Sequence, residues 1–223
     1  MPANSDKTRE RILLVAERLF AERGLDGASM RSLAAGADVP LALVSYHFGS
    51  KDALYRAIFQ HRYGPPTEER LRRLRAVERE PATPDRVERL VAAFLEPILA
   101  LRRERGSRYF AALLAREASD PREAKRGLLA EFFDPQAKAF LGAFERALPA
   151  LSKADVAWGY QFLIGALVMH LGDAGRITRL SAGAAKSTDT AAAFARLVHF
   201  AAAGLRGISA ASAPRARATR RKS

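Results

Sequence analysis

Residues 29–51 read SMRSLAAGADVPLALVSYHFGSK and hold two short helical patterns, a break between them and the start of a third helix. Ser29 suits an N-cap, since its hydroxyl can accept a hydrogen bond from an amide of the first turn. Leu33, Ala34 and Ala37 follow it on one apolar face. Asp38-Val39-Pro40 interrupts that helix. Proline disfavours a helical residue before it but suits a first turn, so a second helix is expected from Pro40 to about Tyr46. If Val44 and Phe48 turn inward, Leu41, Ala42, Ser45 and Tyr46 face out. Gly49-Ser50 ends this helix, and Ser50 caps another that begins at Lys51. Two short helices joined by a tight turn and leaning on a longer one before them make the helix-turn-helix plan. Its second helix enters the DNA major groove.

The neighbouring sequence fits that plan. From Asp6, the residues Ile12, Val15, Ala16, Leu19 and Phe20 recur at helical spacing, and Gly24 stands where a left-handed C-cap belongs. The helix from Lys51 carries Leu54, Tyr55, Ile58 and Phe59 and is expected to stop at Tyr63, broken by Gly64-Pro65-Pro66. That break predicts a reading domain over 1–63, a helical body over 64–208 and a disordered basic tail over 209–223. Within the body, helices are expected over 67–80, 85–105 with a kink at Pro97, and 108–118. A further helical region covers 120–147 and bends or divides at Asp134-Pro135. Helices over 153–173 and 188–205 follow, with a loop rich in Gly, Ser and Ala between them. No stretch asks for a strand, so the fold class is all-α.

The run LAAGADVPLALVSYHFGSKDALY resembles the DNA-binding signature of the TetR/AcrR family of transcriptional regulators. Leu33, Ala34, Ala37, Val39, Val44, His47, Phe48, Lys51 and Leu54 fall in register with it without a gap. Asp38, Pro40 and Ser45 stand where the family usually has Gly, Ser and Tyr, and the end of the run is similar to a subgroup in which Asn-Tyr-His-Phe is common. The resemblance implies a homodimer on a palindromic operator, released by a small-molecule effector bound in the body. The subgroup resemblance leans towards an apolar effector.

Composition narrows the alternatives. The formal net charge is +13, yet residues 1–63 hold 9 basic against 7 acidic side chains, whereas residues 209–223 hold five basic and no acidic ones. The reader must therefore bind by placed contacts rather than by bulk charge. No cysteine is present, which excludes disulfides, thiolate chemistry and cysteine-held metals. The uncharged run from Val156 to Leu171 is interrupted by Gln161 and His170 and suits a buried helix better than a membrane span. With no secretory signal either, a cytoplasmic location without a membrane partner is expected. There is no GxSxG, HExxH or dinucleotide fingerprint. The run Leu180–Ser187 lacks the glycines of a phosphate loop, and the histidines at 47, 61, 170 and 199 have no metal-ligand spacing. No enzyme, cofactor or metal is expected.

Each candidate contact follows from position. Arg31 can reach a phosphate or a groove edge, and amides at the Ser29 helix start can hold a phosphate. Leu41, Ala42 and Leu43 offer methyl and van der Waals contacts; Ser45 has a shorter reach than the family's Tyr; Tyr46, His47 and Lys51 point to backbone phosphates. Two blander readings stay open: His47 braces the turn, or Arg31 pairs with an acid nearby. Phe94, Phe110, Phe133, Phe140 and Phe162 are candidates to line an effector pocket, or else plain core. Trp158, Phe162, Ala166, His170, Phe194, Val198 and Ala201 are candidates for a dimer face on the last two long helices. His170 and Asp173 can meet within it, and Phe194, Leu197, Val198, Phe200 and Ala201 are expected to turn inward on the last helix. Two other functions compete: a helical ligand-binding protein or enzyme with a vestigial reader, and a non-specific nucleic-acid binder working through its basic tail.

Overall fold

The computed structural model describes residues 2–103 and 106–208, and the expected basic tail lies outside them. The described residues form twelve helices and no strand. They are α1 (Pro2–Gly27), α2 (Met30–Gly36), α3 (Leu41–Phe48), α4 (Lys51–Arg79), α5 (Arg86–Arg103), α6 (Arg108–Ala118), α7 (Glu123–Arg126), α8 (Leu128–Phe132), α9 (Asp134–Ala147), α10 (Lys153–Leu171), α11 (Arg176–Leu180) and α12 (Thr190–Gly207). None is long and apolar enough to cross a membrane.

The first four helices assemble around the apolar stripe of α1. Ile12, Leu13 and Ala16 are buried against Leu33, Ala34 and Ala37 of α2, Val44 and Phe48 of α3, and Leu54 of α4. Each large side chain taken from water in this way contributes roughly 1.5–3 kcal/mol. Gly36 lets α2 lie close on α1, because a Cβ there would sit 2.9 Å from Val15 Cγ1. Gly24 takes φ 75°, and α1 turns at this point before its last residues.

Helix α5 is the axis of the body, with α4, α6, α9, α10 and α12 packed against it. Val87, Leu90, Val91, Phe94, Leu95, Ile98 and Leu99 recur at helical spacing as its buried face, while Glu88, Arg89 and Glu96 on the other side form ion pairs. Helix α1 also packs on α6, so reader and body share a wide contact besides α4.

Several expected boundaries move. The helix from Lys51 does not stop at Gly64-Pro65-Pro66: α4 runs through both prolines to Arg79 and takes in the helix expected over 67–80. Buried Thr67, Arg70, Leu74 and Val77 continue its inward face, so tertiary packing outweighs two missing amide donors. The region 120–147 divides at Asp134, as Pro135 suggested, and a second time at Gly127, which caps α7 with φ 66°. The loop between the last long helices holds the short α11.

Candidate nucleic-acid interface

Capping fixes the two reading helices. The Ser32 amide donates to Ser29 Oγ at 3.1 Å and the Ser29 amide donates to Ser32 Oγ at 3.0 Å, closing a reciprocal box around the start of α2. The turn is then drawn tight as the Val39 amide donates to the Ala34 carbonyl at 3.1 Å. Asp38 sits in this turn with φ 49°, a left-handed conformation that glycine adopts freely and aspartate tolerates better than most residues. Pro40 then caps α3, and Ser50 Oγ accepts from the Ala53 amide at 3.1 Å to start α4.

The surface this produces is the one expected. Val44 and Phe48 are buried, whereas Leu41, Ala42, Ser45 and Tyr46 are exposed, Tyr46 at 82%. Arg31 is exposed and makes no ion pair with any described residue, so its guanidinium is available. The His47 ring is half-buried, edge-on to Tyr46 at 5.3 Å and tilted against Phe48 at 6.1 Å. Lys51 is half-buried at the first turn of α4. Two cations escaped the sequence reading because they lie on α1. The Arg9 guanidinium stands 5.3 Å from the Phe48 ring centroid, and Arg11 donates to the Asp38 carbonyl at 3.5 Å. Both flank the reading helix, and in sequence they look like an ordinary solvated face.

Charged contacts bind α4 to α1 and to the body. Arg62 Nε donates to Glu17 Oε2 at 2.7 Å and an Nη donates to the Gly106 carbonyl at 2.8 Å. Tyr55 Oη donates to Glu117 Oε2 at 2.8 Å, and Glu117 in turn accepts from Arg126 at 2.9 and 2.8 Å. Burial and the adjacent carboxylate push the Tyr55 hydroxyl pKa far up, so it stays a proton donor. Arg56 pairs with Glu131 and donates to the Arg126 carbonyl.

The effector candidates divide. Phe94, Phe110 and Phe140 are fully buried. Phe94 is edge-on to Phe140 at 5.0 Å and to Tyr160 at 5.5 Å, and Phe110 packs on Phe59 at 5.6 Å. Half-buried Phe133 meets Tyr63 at 5.3 Å. Phe162 does not join them: it is 62% exposed and stacks on Trp158 outside the core. Of the dimer candidates, Trp158 and Phe162 stand outward, while Ala166, His170, Phe194 and Val198 are half-buried. Ala201 is buried on the inner face of α12, the helix that packs on α5, so it cannot serve an outer face. Phe200, expected inward, is 70% exposed. The side chains of His170 and Asp173 do not bond each other: His170 Nε2 and Asp173 Oδ2 both lack a partner, and Arg102 donates to the two backbone carbonyls instead.

Comparison with known proteins agrees with this geometry. Residues 12–58 match the model of bacterial regulatory proteins of the tetR family, and residues 92–204 match the tetracyclin repressor-like C-terminal domain. Helix-turn-helix-type transcriptional regulators of Mycobacterium tuberculosis and Mycobacterium bovis are 43% identical over 61 residues, which is 27% of this chain and 32% of theirs. The match thus spans about a third of the length of those relatives. Among solved structures, the transcriptional regulator FadR from Bacillus subtilis, in complex with stearoyl-CoA, has a TM-score of 0.63 at 14% identity, covering 87% of this chain and 98% of its own. NalD, the secondary repressor of the MexAB-OprM multidrug efflux pump in Pseudomonas aeruginosa, has a TM-score of 0.59 at 20% identity, covering 90% and 97%.

Proposed function

This chain belongs to the TetR family of bacterial regulatory proteins, and we propose that it acts there as a homodimeric repressor that a small-molecule effector releases from a palindromic operator. At the coarser level it is a DNA-binding transcriptional regulator and not an enzyme. The observation that carries the reading is the bare face of α2 and α3, where Arg31, Leu41, Ala42, Ser45 and Tyr46 are exposed over a sealed apolar core. Ser29, His47 and Lys51 complete the contact set, and Arg9 extends it from α1. Residues 1–63 form the reading unit and 64–208 the sensing and dimerising body. Within α4 the boundary marks a change of neighbours rather than a break. The protein works in the cytoplasm, where its operator is.

Release follows from a population shift. An effector that favours one arrangement of the body changes the spacing of the two reading helices and weakens binding to adjacent half-sites. Helix α4 transmits this change, since Tyr55 and Arg62 tie it to α6, α7 and α1.

Electrophoretic retardation of the DNA upstream of the protein's own gene tests the reading. The expected result is sequence-specific retardation that survives deletion of residues 209–223. Arg31→Ala should weaken it by about 1–3 kcal/mol, roughly five- to 150-fold. Retardation equal on all DNA and lost with the tail would instead support the non-specific binder, and unchanged binding by Arg31→Ala would remove Arg31 from the contact set.

A further inference from the structure

Three charged side chains are buried among the described residues: Glu17, Arg70 and Glu117. Glu17 has Arg62 and Glu117 has Arg126, but Arg70 has no carboxylate. It is 3% exposed on α4, with Nε donating to the Phe94 carbonyl at 2.6 Å and an Nη 3.5 Å from Gln136 Oε1. The guanidinium carbon lies 3.9 Å from the centroid of the Phe94 ring. Burial lowers the Arg70 pKa to about 10, opposed by the nearby hydroxyls of Tyr160 and Tyr63, so the group remains a cation at neutral pH. Beside it, Gln136 is 2% exposed and its Nε2 has no hydrogen-bond partner.

A lone buried cation is unfavourable by several kcal/mol, and an orphaned amide donor adds to the deficit. One anion placed between them would satisfy both. The surroundings are mostly aromatic, with the Tyr63 and Tyr160 hydroxyls beside Arg70 and Asp134 near Tyr160: Phe94, Phe140 and Tyr160 pack edge-on, and Tyr63 meets Phe132 and Phe133. We propose that Arg70 and Gln136 receive the carboxylate of an amphipathic acid, whose hydrocarbon part lodges among these rings. The inference rests on reading the body as an effector site, and it replaces a purely apolar effector with an acidic one. The rings fill the space in this structure, so they must yield on binding. The wall at Tyr63 is the junction of the short α8 with α9, divided at Phe133 and preceded by the Gly127 break.

The test uses the full chain, with straight-chain carboxylates from octanoate to palmitate and phenylalkanoates as probes. The matching primary alcohols serve as neutral controls in thermal denaturation and titration calorimetry. Acids should bind more tightly than their alcohols. Arg70→Met should remove that preference and Gln136→Leu should narrow it, each with a loss of roughly tenfold to a hundredfold in acid affinity. DNA retardation by the ligand-free variants should stay unchanged, and Arg70→Lys should keep part of the preference. If Arg70→Met melts out, Gln136→Leu carries the test, because Arg70 remains in place there. Equal binding of acids and alcohols, no acid binding, or a preference undiminished in Gln136→Leu would overturn the proposal. Failure of the wild type to retard DNA specifically would overturn the repressor reading instead, and the headgroup preference would still be judged by calorimetry.

Discussion

Arg62 pairs with a buried carboxylate. Glu17 is 3% exposed, and burial holds its pKa above the ordinary value of 4.5 while Arg62 pulls it back down. Arg62→Met leaves that carboxylate without its ion pair and with only a backbone hydrogen bond from Phe110, so we expect a loss of about 3–5 kcal/mol at neutral pH in urea denaturation. The pH profile carries the sign. A carboxyl whose folded pKa is raised gives stability in full below 4.5 and loses it as the pH rises through the folded value. The variant lacks the pull of Arg62, so it should regain stability on acidification from neutral pH more steeply than the parent. A flat profile for the variant would mean that water reaches Glu17 there. None of this is legible in the sequence, where the two residues lie 45 positions apart on helices that each carry several charges. Local chemistry is legible by contrast. The Ser29 and Ser50 caps follow from short-range rules, because their partners lie within four residues, and the inward Val44 and Phe48 follow from helical spacing. Asp38 falls between these cases. Its departure from the family's glycine is visible in sequence, but the left-handed φ of 49° that explains the glycine is not.

Helix α4 shows where reading by elements runs out. Gly-Pro-Pro is a strong breaker by local propensity, yet the helix crosses it because Tyr55, Ile58 and Phe59 before it and Thr67, Arg70 and Leu74 after it all face buried partners. Propensity is a weak prior against that much buried surface. The breaker still weakens the helix, since Pro65 and Pro66 cannot donate to the carbonyls one turn back. Pro66→Ala restores one of these donors inside α4 and lifts the proline penalty there. It should raise stability by roughly 1–3 kcal/mol, measured as the shift in urea midpoint at constant m. If the weak point also helps α4 move, the same variant should retard operator DNA as the parent does but need more effector for release. Equal effector sensitivity would place the moving part elsewhere along α4.

At the scale of the whole molecule the body is unfinished on one side. Trp158, Phe162, Gly165 and Met169 recur along α10 at offsets of four, seven and eleven, one face of a helix, and the first two and Met169 are 60%, 62% and 73% exposed. Phe200 of α12 adds an aromatic ring at 70% exposure, and α10 and α12 pack side by side. Large apolar side chains gathered in this way are unusual on a monomer's surface. A second copy offering the same two helices would cover them in a four-helix arrangement about a two-fold axis. The sequence pointed to these two helices as a dimer face but missed which face of α12 turns outward, because alternation of alanine with large residues leaves its phase open. Phe162→Arg tests the arrangement with little risk to the fold, since the side chain touches solvent in the single chain. A central aromatic anchor is worth about 2 kcal/mol or more at an interface, so the dimer should weaken at least about thirtyfold and sediment as a monomer at micromolar concentration. Retardation of the full palindrome should then fall to that of an isolated half-site, with thermal unfolding still cooperative. A variant that remains dimeric at those concentrations would move the interface off α10. One that turns monomeric yet holds the palindrome as tightly would show that pairing happens on the DNA itself.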